Sequence, residues 1–220
     1  MNTHETNKLF YGQYLYKIQL RNSLASYFRE KNLPLARQAL DTLRRLDEND
    51  EPLLLGKGLR LYQVSDRDYN DAKKLYALFS NFEDYKLRVE QMTLNVYGNN
   101  RLWILNVAAS ISKANIIEFW EPNTNYLSLL QKDTILISED NGYQYKVTFG
   151  NNKGESNFAR WAIANPKQVK IGPVCMRELQ ANGYVSGMYF YARDEKTLQL
   201  CSLMTTNIRR IDKLIVKADI

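Results

Sequence analysis

The chain has 220 residues, of which 45% are hydrophobic and 25% are charged, and this composition excludes an intrinsically disordered protein. Its formal net charge of +6 favours polyanionic partners and supplies non-specific affinity for nucleic acid. One histidine and two cysteines are too few for a zinc site.

The N-terminus and the cysteines bear on cellular location. The apolar runs are only a few residues long and the N-terminus lacks the regions of a signal peptide, so no membrane partner is predicted. Residues 1–9 are predicted to form a polar tail, and His4 within it would have no partners for a catalytic triad. Cys175 and Cys201 each lie in an apolar run, which predicts buried free thiols. We therefore expect a cytoplasmic, reducing environment.

The first half alternates strand-like and helix-like segments. Phe10–Leu20 is predicted to form a strand, with Tyr14 and Tyr16 on one face and Lys17 on the other. Tyr85–Tyr97 alternates similarly and is predicted to form one long or bent strand. Between them we predict a helix capped by Ser23, a helix restarted at Pro34, an acidic loop over residues 47–52, a strand over Leu59–Val64 and a helix capped by Ser65 or Asp66. A turn at residues 98–100, a helix over residues 102–111 and a strand over Ile116–Trp120 complete this half.

The second half repeats this alternation on a smaller scale. The Asn141-Gly142 pair is a strong hairpin signal, and it predicts that Thr134–Ser138 pairs with Tyr143–Phe149. A short connecting helix over residues 123–132 precedes this hairpin. After it we predict a helix around Phe158, a strand over Val169–Ile171, a helix over Val174–Gln180, a strand over Tyr184–Tyr191 and a helix capped by Asp194. The last element, Ile208–Val216, has a spacing that fits a helix as well as a strand, and the repeat favours a strand.

Two similar five-residue segments suggest an internal duplication. Tyr14-Leu15-Tyr16-Lys17-Ile18 and Tyr143-Gln144-Tyr145-Lys146-Val147 each open a similar series of elements, and repeats of this kind indicate a repeated architecture. The predicted fold class is α+β, with two tandem ferredoxin-like (βαββαβ) modules packed together. The first module, residues 1–125, carries a helical insertion before its third strand. The second module, residues 126–220, is the more basic.

Tyrosines and basic residues on the predicted strands form the candidate binding site. Aromatic side chains on exposed sheet faces stack bases, and neighbouring cations contact phosphates. The alternative interpretation is that these tyrosines pack beneath the helices. The predicted nucleic-acid-binding residues are Tyr14, Tyr16, Lys17, Arg88, Tyr97, Tyr143, Tyr145, Lys146, Tyr189, Tyr191, Arg193, Arg209, Arg210 and Lys213.

Three other clusters admit a chemical and a structural interpretation. Arg209 and Arg210, with Lys213, Lys217, Lys167 and Lys170 as possible neighbours, form either a phosphate contact or an ordinary solvated face. Asp66, Asp68 and Asp71 could hold a divalent metal for hydrolysis, but acidic residues also favour a helix N-terminus, and capping is the preferred interpretation. Gly56-Lys57-Gly58 is too short for a phosphate-binding loop and predicts a turn.

The function predicted from the sequence is binding of single-stranded DNA or RNA without catalysis. No catalytic residue, metal ligand or cofactor motif is identified. The alternative hypothesis is a structural or adaptor protein of a viral or other assembly, with a protein partner or a homo-oligomer. A third hypothesis is a metal-dependent nuclease that uses Asp66 and Asp68.

Overall fold

The computed structural model describes residues 2–57 and 60–217, and the chain forms two compact units. Unit 1 comprises Met1–Thr6 and Gln13–Asn123, and unit 2 comprises Asn7–Gly12 and Thr124–Ile220. The predicted modules met between residues 125 and 126, and the assignment of Asn7–Gly12 to the second unit was not predicted.

Unit 1 contains one five-stranded sheet among its described residues, with strand order β1-β7-β2-β6-β5, and a separate β3-β4 hairpin. Strand β1 is parallel to β7, and the other neighbours are antiparallel. The elements are β1 (Asn2–Glu5), β2 (Tyr16–Arg21), a 3₁₀ segment (Ala25–Lys31), α1 (Leu33–Glu48), β3 (Leu54–Lys57), β4 (Arg60–Gln63), α2 (Asp66–Ser80), β5 (Tyr85–Glu90), β6 (Thr93–Gly98), α3 (Arg101–Ser110), a 3₁₀ turn (Lys113–Asn115) and β7 (Ile116–Glu121).

Unit 2 contains a second five-stranded sheet in the part of the chain that the structure describes, with strand order β10-β11-β9-β12-β8. Its elements are a 3₁₀ segment (Thr124–Leu129), β8 (Thr134–Ile137), β9 (Tyr145–Phe149), α4 (Ser156–Ala164), β10 (Val169–Ile171), α5 (Pro173–Gln180), β11 (Tyr189–Ala192), α6 (Glu195–Met204) and β12 (Ile208–Val216). Strand β8 is parallel to β12, and the other pairs are antiparallel. The predicted α+β class is confirmed.

The two sheets have the same topology. Strands β1, β7, β2, β6 and β5 of unit 1 correspond in order and direction to β8, β12, β9, β11 and β10 of unit 2. In both units the first and last strands of the series are parallel neighbours. Unit 1 has α1, β3, β4 and α2 between its strands β2 and β5, whereas unit 2 has only α4 between the equivalent strands β9 and β10 among its described residues. The additional elements of unit 1 therefore lie before β5.

Each sheet packs one face against helices because its strand residues alternate in polarity. In unit 1 the inward positions of β2 are Tyr16, Ile18 and Leu20, which lie in one core with residues of α1, α2 and α3. In unit 2 the inward positions of β9 and β11 include Val147 and Phe190, which lie in a core with residues of α4, α5 and α6. The alternate residues of these strands are therefore left on the other face.

Helix starts follow the predicted capping residues in most cases. Ser65 accepts a hydrogen bond from the Asp68 backbone N–H at α2, and Asp194 accepts one from the Thr197 N–H at α6. Helix α1 restarts beside Pro34, as predicted, although the cap is Asn32. The predicted cap Ser23 is wrong, because the 3₁₀ segment that follows it has no side-chain cap. These contacts satisfy amides that would otherwise lack a partner at a helix start.

The predicted polar tail and two predicted strands differ from the structure. The polar tail contains β1, which pairs with β7, and the strand predicted over Phe10–Leu20 begins only at Tyr16. The strand predicted over Tyr85–Tyr97 is the hairpin β5-β6, whose turn uses Gln91 with a φ of +54°. Leu59 and Gly58, within a predicted strand and a predicted turn, lie outside the described residues.

The hairpin predicted between β8 and β9 is wrong. The local turn does form, since the Gly142 N–H donates to Asp140 at 2.8 Å. Strand β12, however, lies between the two strands and pairs with both of them. Pairing with a strand that is distant in sequence therefore overrides the hairpin signal.

An ionic cluster attaches the segment Asn7–Gly12 to the sheet of unit 2. Asp212 on β12 has an exposure of 0%, and its carboxylate receives Lys8 at Oδ1 and the Arg210 Nε at Oδ2, the latter at 2.9 Å. Burial lowers the pKa of Lys8, and the hydrogen bond to Asp212 opposes that shift. The Leu136 N–H of β8 donates to the Asn7 carbonyl at 2.8 Å, so the segment also covers an edge of the sheet.

The described residues include no helix with the length and apolar character needed to cross a membrane.

Replacing Lys8 tests this attachment. In Lys8→Met, Asp212 loses one of its two cationic partners while the apolar stem of the side chain is kept. Because a hydrogen bond to a charged group contributes about 1.5–3 kcal/mol, we expect amide exchange at Leu136 to accelerate by roughly 10- to 150-fold. Hydrogen exchange followed by NMR measures this rate, and the exposed Lys167→Met is the control. Unchanged exchange at Leu136 would show that Lys8 does not hold the segment.

Candidate nucleic-acid interface

A row of alternating lysine and tyrosine side chains crosses the sheet of unit 2. Tyr191 on β11 lies opposite Lys170 on β10 and opposite Lys146 on β9. Residues paired across neighbouring strands project from the same face, and this face is the one opposite Phe190 and Ala192, whose exposure is 0%. We call Lys170, Tyr191 and Lys146 the lysine–tyrosine row, and the face that carries it the outer face.

Two further tyrosines extend the aromatic surface beside the row. The Tyr189 ring lies 5.5 Å from the Tyr191 ring, edge to face at 75°, and the Tyr143 ring lies 6.0 Å from Tyr191. Such offset contacts between rings are favourable. Tyr189 is 43% exposed, so this ring retains a surface on which a ligand can stack.

The ionic cluster at Asp212 bears on where the Lys146 ammonium lies. Lys146 lies opposite Asp212 in the register, but the two carboxylate oxygens already receive Lys8 and Arg210. The Lys146 ammonium lies instead over the Tyr189 ring, 3.9 Å from its centroid. This cation–π contact keeps a positive charge next to an exposed aromatic ring.

Tyr191 ionises less readily than an ordinary tyrosine. Burial raises its pKa above the ordinary value of 10.0, and the neighbouring Tyr189 raises it further. The phenol is therefore neutral at physiological pH. It adds no negative charge that would repel a polyanion.

A cleft opens at the β10 edge of this aromatic surface. Its volume is about 590 Å³, and its lining residues are Lys170, Gly172, Pro173, Val174, Cys175, Ser186, Gly187, Met188, Tyr189 and Tyr191. Apolar side chains at the start of α5 form one wall, and the two tyrosines form another. Clefts of this size and composition are typical of small-molecule sites.

Unit 1 carries the same row in a buried form. Tyr97 on β6 lies opposite Lys86 on β5 and Lys17 on β2, and the Tyr14 ring lies 6.5 Å from it. The exposures of Tyr14 and Tyr97 are only 9% and 5%. Lys17, whose pKa is lowered by burial, has its ammonium 3.7 Å from the centroid of the Trp120 ring.

Several predicted binding residues lie away from the outer face of unit 2. Tyr16 belongs to the core of unit 1 and Tyr145 packs against the core of unit 2, so both rings follow the alternative interpretation. Tyr14 was predicted to share a face with Tyr16, but it packs against Tyr97 because the β2 strand begins only after it. Arg88 pairs with Glu90 in unit 1.

The predicted basic cluster near the C-terminus is divided by the alternation of β12. Lys213 pairs with the inward residue Tyr145 and therefore projects from the helix side, away from Arg210. Arg209 is exposed at the bulge of β12. Arg193 lies 3.6 Å from Asp194 and lines a depression of about 270 Å³ together with Tyr143. Of the predicted cations, Lys146 lies over the Tyr189 ring and Arg193 lines a depression with Tyr143, whereas Arg210 binds Asp212.

The acidic residues at α2 form a hydrogen-bonded network. Asp68 accepts from the Ser23 backbone N–H at 3.0 Å, and both Asp68 and Asp71 accept from the Asn115 amide, at 3.0 and 2.8 Å. Asp71 also accepts from the Ser112 N–H. Among the described residues no group of three His, Cys, Asp or Glu side chains could hold a metal ion. The network fits a structural role for these carboxylates.

The stacking of His4 and the walls of the cleft were not predicted from the sequence. His4 stacks on Trp120 with ring centroids 5.0 Å apart. The position of Trp120 on a predicted strand was the one sequence feature that pointed to this contact. Pro173, Val174 and Met188 carry no motif, since their role depends on how α5 meets the sheet.

Comparison of the chain with known protein families, with curated proteins and with solved structures finds no match. Function must therefore be argued from the side chains themselves.

Removing the Tyr189 hydroxyl tests the electrostatics of the row. In Tyr189→Phe we expect the pKa of Tyr191 to fall towards 10.0 but to remain above it, because burial is the larger cause. A raised pKa stabilises the folded protein below the unfolded value, and this contribution is lost as the pH rises through the folded pKa. The alkaline loss of stability should therefore be smaller and should be complete at lower pH. NMR titration of labelled tyrosine measures the pKa, and Tyr184→Phe is the control. An unaltered Tyr191 titration would refute the coupling.

Proposed function

We propose that the protein binds single-stranded nucleic acid on the outer face of unit 2. The observation that carries this proposal is an aromatic pair: Tyr189 is 43% exposed, and its half-buried neighbour Tyr191 lies between the cations Lys170 and Lys146. Aromatic rings stack bases of any sequence, and cations beside them contact the phosphates that join those bases. A surface with both features is suited to a polyanion with exposed rings.

A single strand fits this surface better than a duplex. The rings at Tyr143, Tyr189 and Tyr191 offer faces and edges to a ligand, and bases in a duplex have their own faces already stacked. The surface is a sheet face with a cleft at its edge, and it does not include a projecting helix of the kind that enters a major groove. The alternating cations and rings match a backbone with unstacked bases.

The same arrangement in unit 1 supports a different role. Its tyrosines are buried and Trp120 occupies the position that corresponds to Asp212. Rings that are already packed cannot stack a ligand without opening the structure. We assign binding to unit 2 and a structural role to the row in unit 1.

We also propose that each unit is a ferredoxin-like module with one added edge strand. The support is the strand series of unit 2, in which β9-α4-β10 and β11-α6-β12 each form a β-α-β unit with another strand between the two parallel ones. This is the split β-α-β arrangement.

Both cysteines are free and buried, which supports the proposal of a reducing, cytoplasmic location.

Removing the aromatic pair is the direct test. The double variant Tyr189→Ala, Tyr191→Ala should bind labelled oligo-dT more weakly by about 2–6 kcal/mol, because each stacked base contributes about 1–3 kcal/mol. Fluorescence anisotropy measures the affinity, and Tyr184→Ala, which removes a tyrosine that is 68% exposed elsewhere in unit 2, is the matched control. Equal affinity of the double variant and the wild type would refute stacking. No binding by the wild type at low salt would refute the function and favour an assembly role.

Replacing the two lysines of the row tests how the binding affinity depends on salt concentration. Each phosphate contact on a single strand contributes about 0.7 to the slope of log affinity against log salt concentration. Lys146→Gln combined with Lys170→Gln should reduce the slope by about 1.4, whereas the exposed Lys196→Gln on α6 should leave it unchanged. Titrations of oligo-dT at several salt concentrations give the slopes. A slope that does not fall would place the phosphates elsewhere.

A further inference from the structure

We propose that the cleft beside Tyr189 and Tyr191 is a binding pocket for one unstacked nucleotide, whose base lies between the apolar wall and the tyrosines and whose phosphate faces Lys170. This inference rests on the proposed function and specifies how one nucleotide of the bound strand is held. It predicts that a free mononucleotide binds at the same place.

The lining of the cleft matches the chemistry of a nucleotide. Pro173, Val174 and Met188 provide apolar surface, while Tyr189 and Tyr191 provide aromatic surface. A base is a planar ring that is stabilised between such surfaces. The charged side chain in the lining is Lys170, and the described lining residues include no carboxylate. The pocket therefore favours an anion that carries a flat ring.

The floor and the size of the cleft are compatible with this ligand. Cys175 lines the cleft with an exposure of 6%, and burial raises the pKa of its thiol to about 11. The thiol is therefore neutral at physiological pH and does not repel a phosphate. The volume of about 590 Å³ lies within the range of about 300–1,000 Å³ that is typical of small-ligand pockets.

Two glycines keep space in the cleft free. A Cβ atom added at Gly172 or at Gly187 would meet nothing within 4 Å. Gly187 has a φ of +73°, a conformation that disfavours other residues. Gly172 has a φ of −67° and a ψ of 150°, which any residue can adopt before a proline. A side chain placed at Gly172 can therefore fill the cleft without straining the backbone.

The test compares Gly172→Phe with the wild type and with Leu203→Phe. Leu203 on α6 is 82% exposed and does not line the cleft, so its variant controls for an added aromatic ring. The first probe is AMP, with binding followed by equilibrium dialysis. The second probe is labelled oligo-dT, with binding followed by fluorescence anisotropy. Circular dichroism confirms that each variant is folded.

We expect the wild type and Leu203→Phe to bind AMP and Gly172→Phe to lose that binding. Oligo-dT affinity should fall in Gly172→Phe by about 5- to 150-fold, which corresponds to one stacked base. If the wild type does not bind AMP, or if Gly172→Phe binds both probes as the wild type does, the pocket is refuted while oligo-dT binding by the wild type still upholds the proposed function. If the wild type binds AMP but not oligo-dT, the proposed function fails and the assignment of the pocket to a strand falls with it.

Discussion

The alternation of side chains along the central strands determines which residues of this protein can meet a ligand. Every second residue of β9 and β11 is committed to the helix-side core, as Val147 and Phe190 show. The residues between them must project from the other face. A shift of one residue in the register would bury Lys146 and expose Val147, so the core that stabilises the fold also fixes the position of the lysine–tyrosine row.

Besides the burial of the unit 1 tyrosines, the two rows differ at the position of the buried carboxylate of Asp212. In unit 2 it binds Lys8 and Arg210, and the Lys146 ammonium lies over the exposed Tyr189 ring. In unit 1 the corresponding position is Trp120, which receives the ammonium of Lys17. A buried charge is tolerated only where it is paired, so Asp212 requires the segment Asn7–Gly12 to remain on the sheet.

The repeated series of elements and most helices could be predicted from the sequence, because they depend on local spacing and capping. The matching positions Lys17 and Lys146 do occupy equivalent places in the two sheets. The exposure of the tyrosines could not be predicted in the same way, because Tyr97 and Tyr191 occupy equivalent positions and yet Tyr97 is buried while Tyr191 is only half-buried. The pairing of β8 with β12 was also missed, since it joins residues far apart in the chain, and the Asn141-Gly142 signal reports only a local turn.

The cleft and the row form one continuous surface because Tyr189 and Tyr191 belong to both. Both rings line the cleft together with Val174, and Tyr191 also lies opposite Lys146. A strand that crosses the row would therefore place its backbone near cations and direct a base towards the cleft. Since Tyr191 is held by two neighbouring rings, little side-chain entropy remains to be lost when a base stacks, and preorganisation of this kind favours affinity.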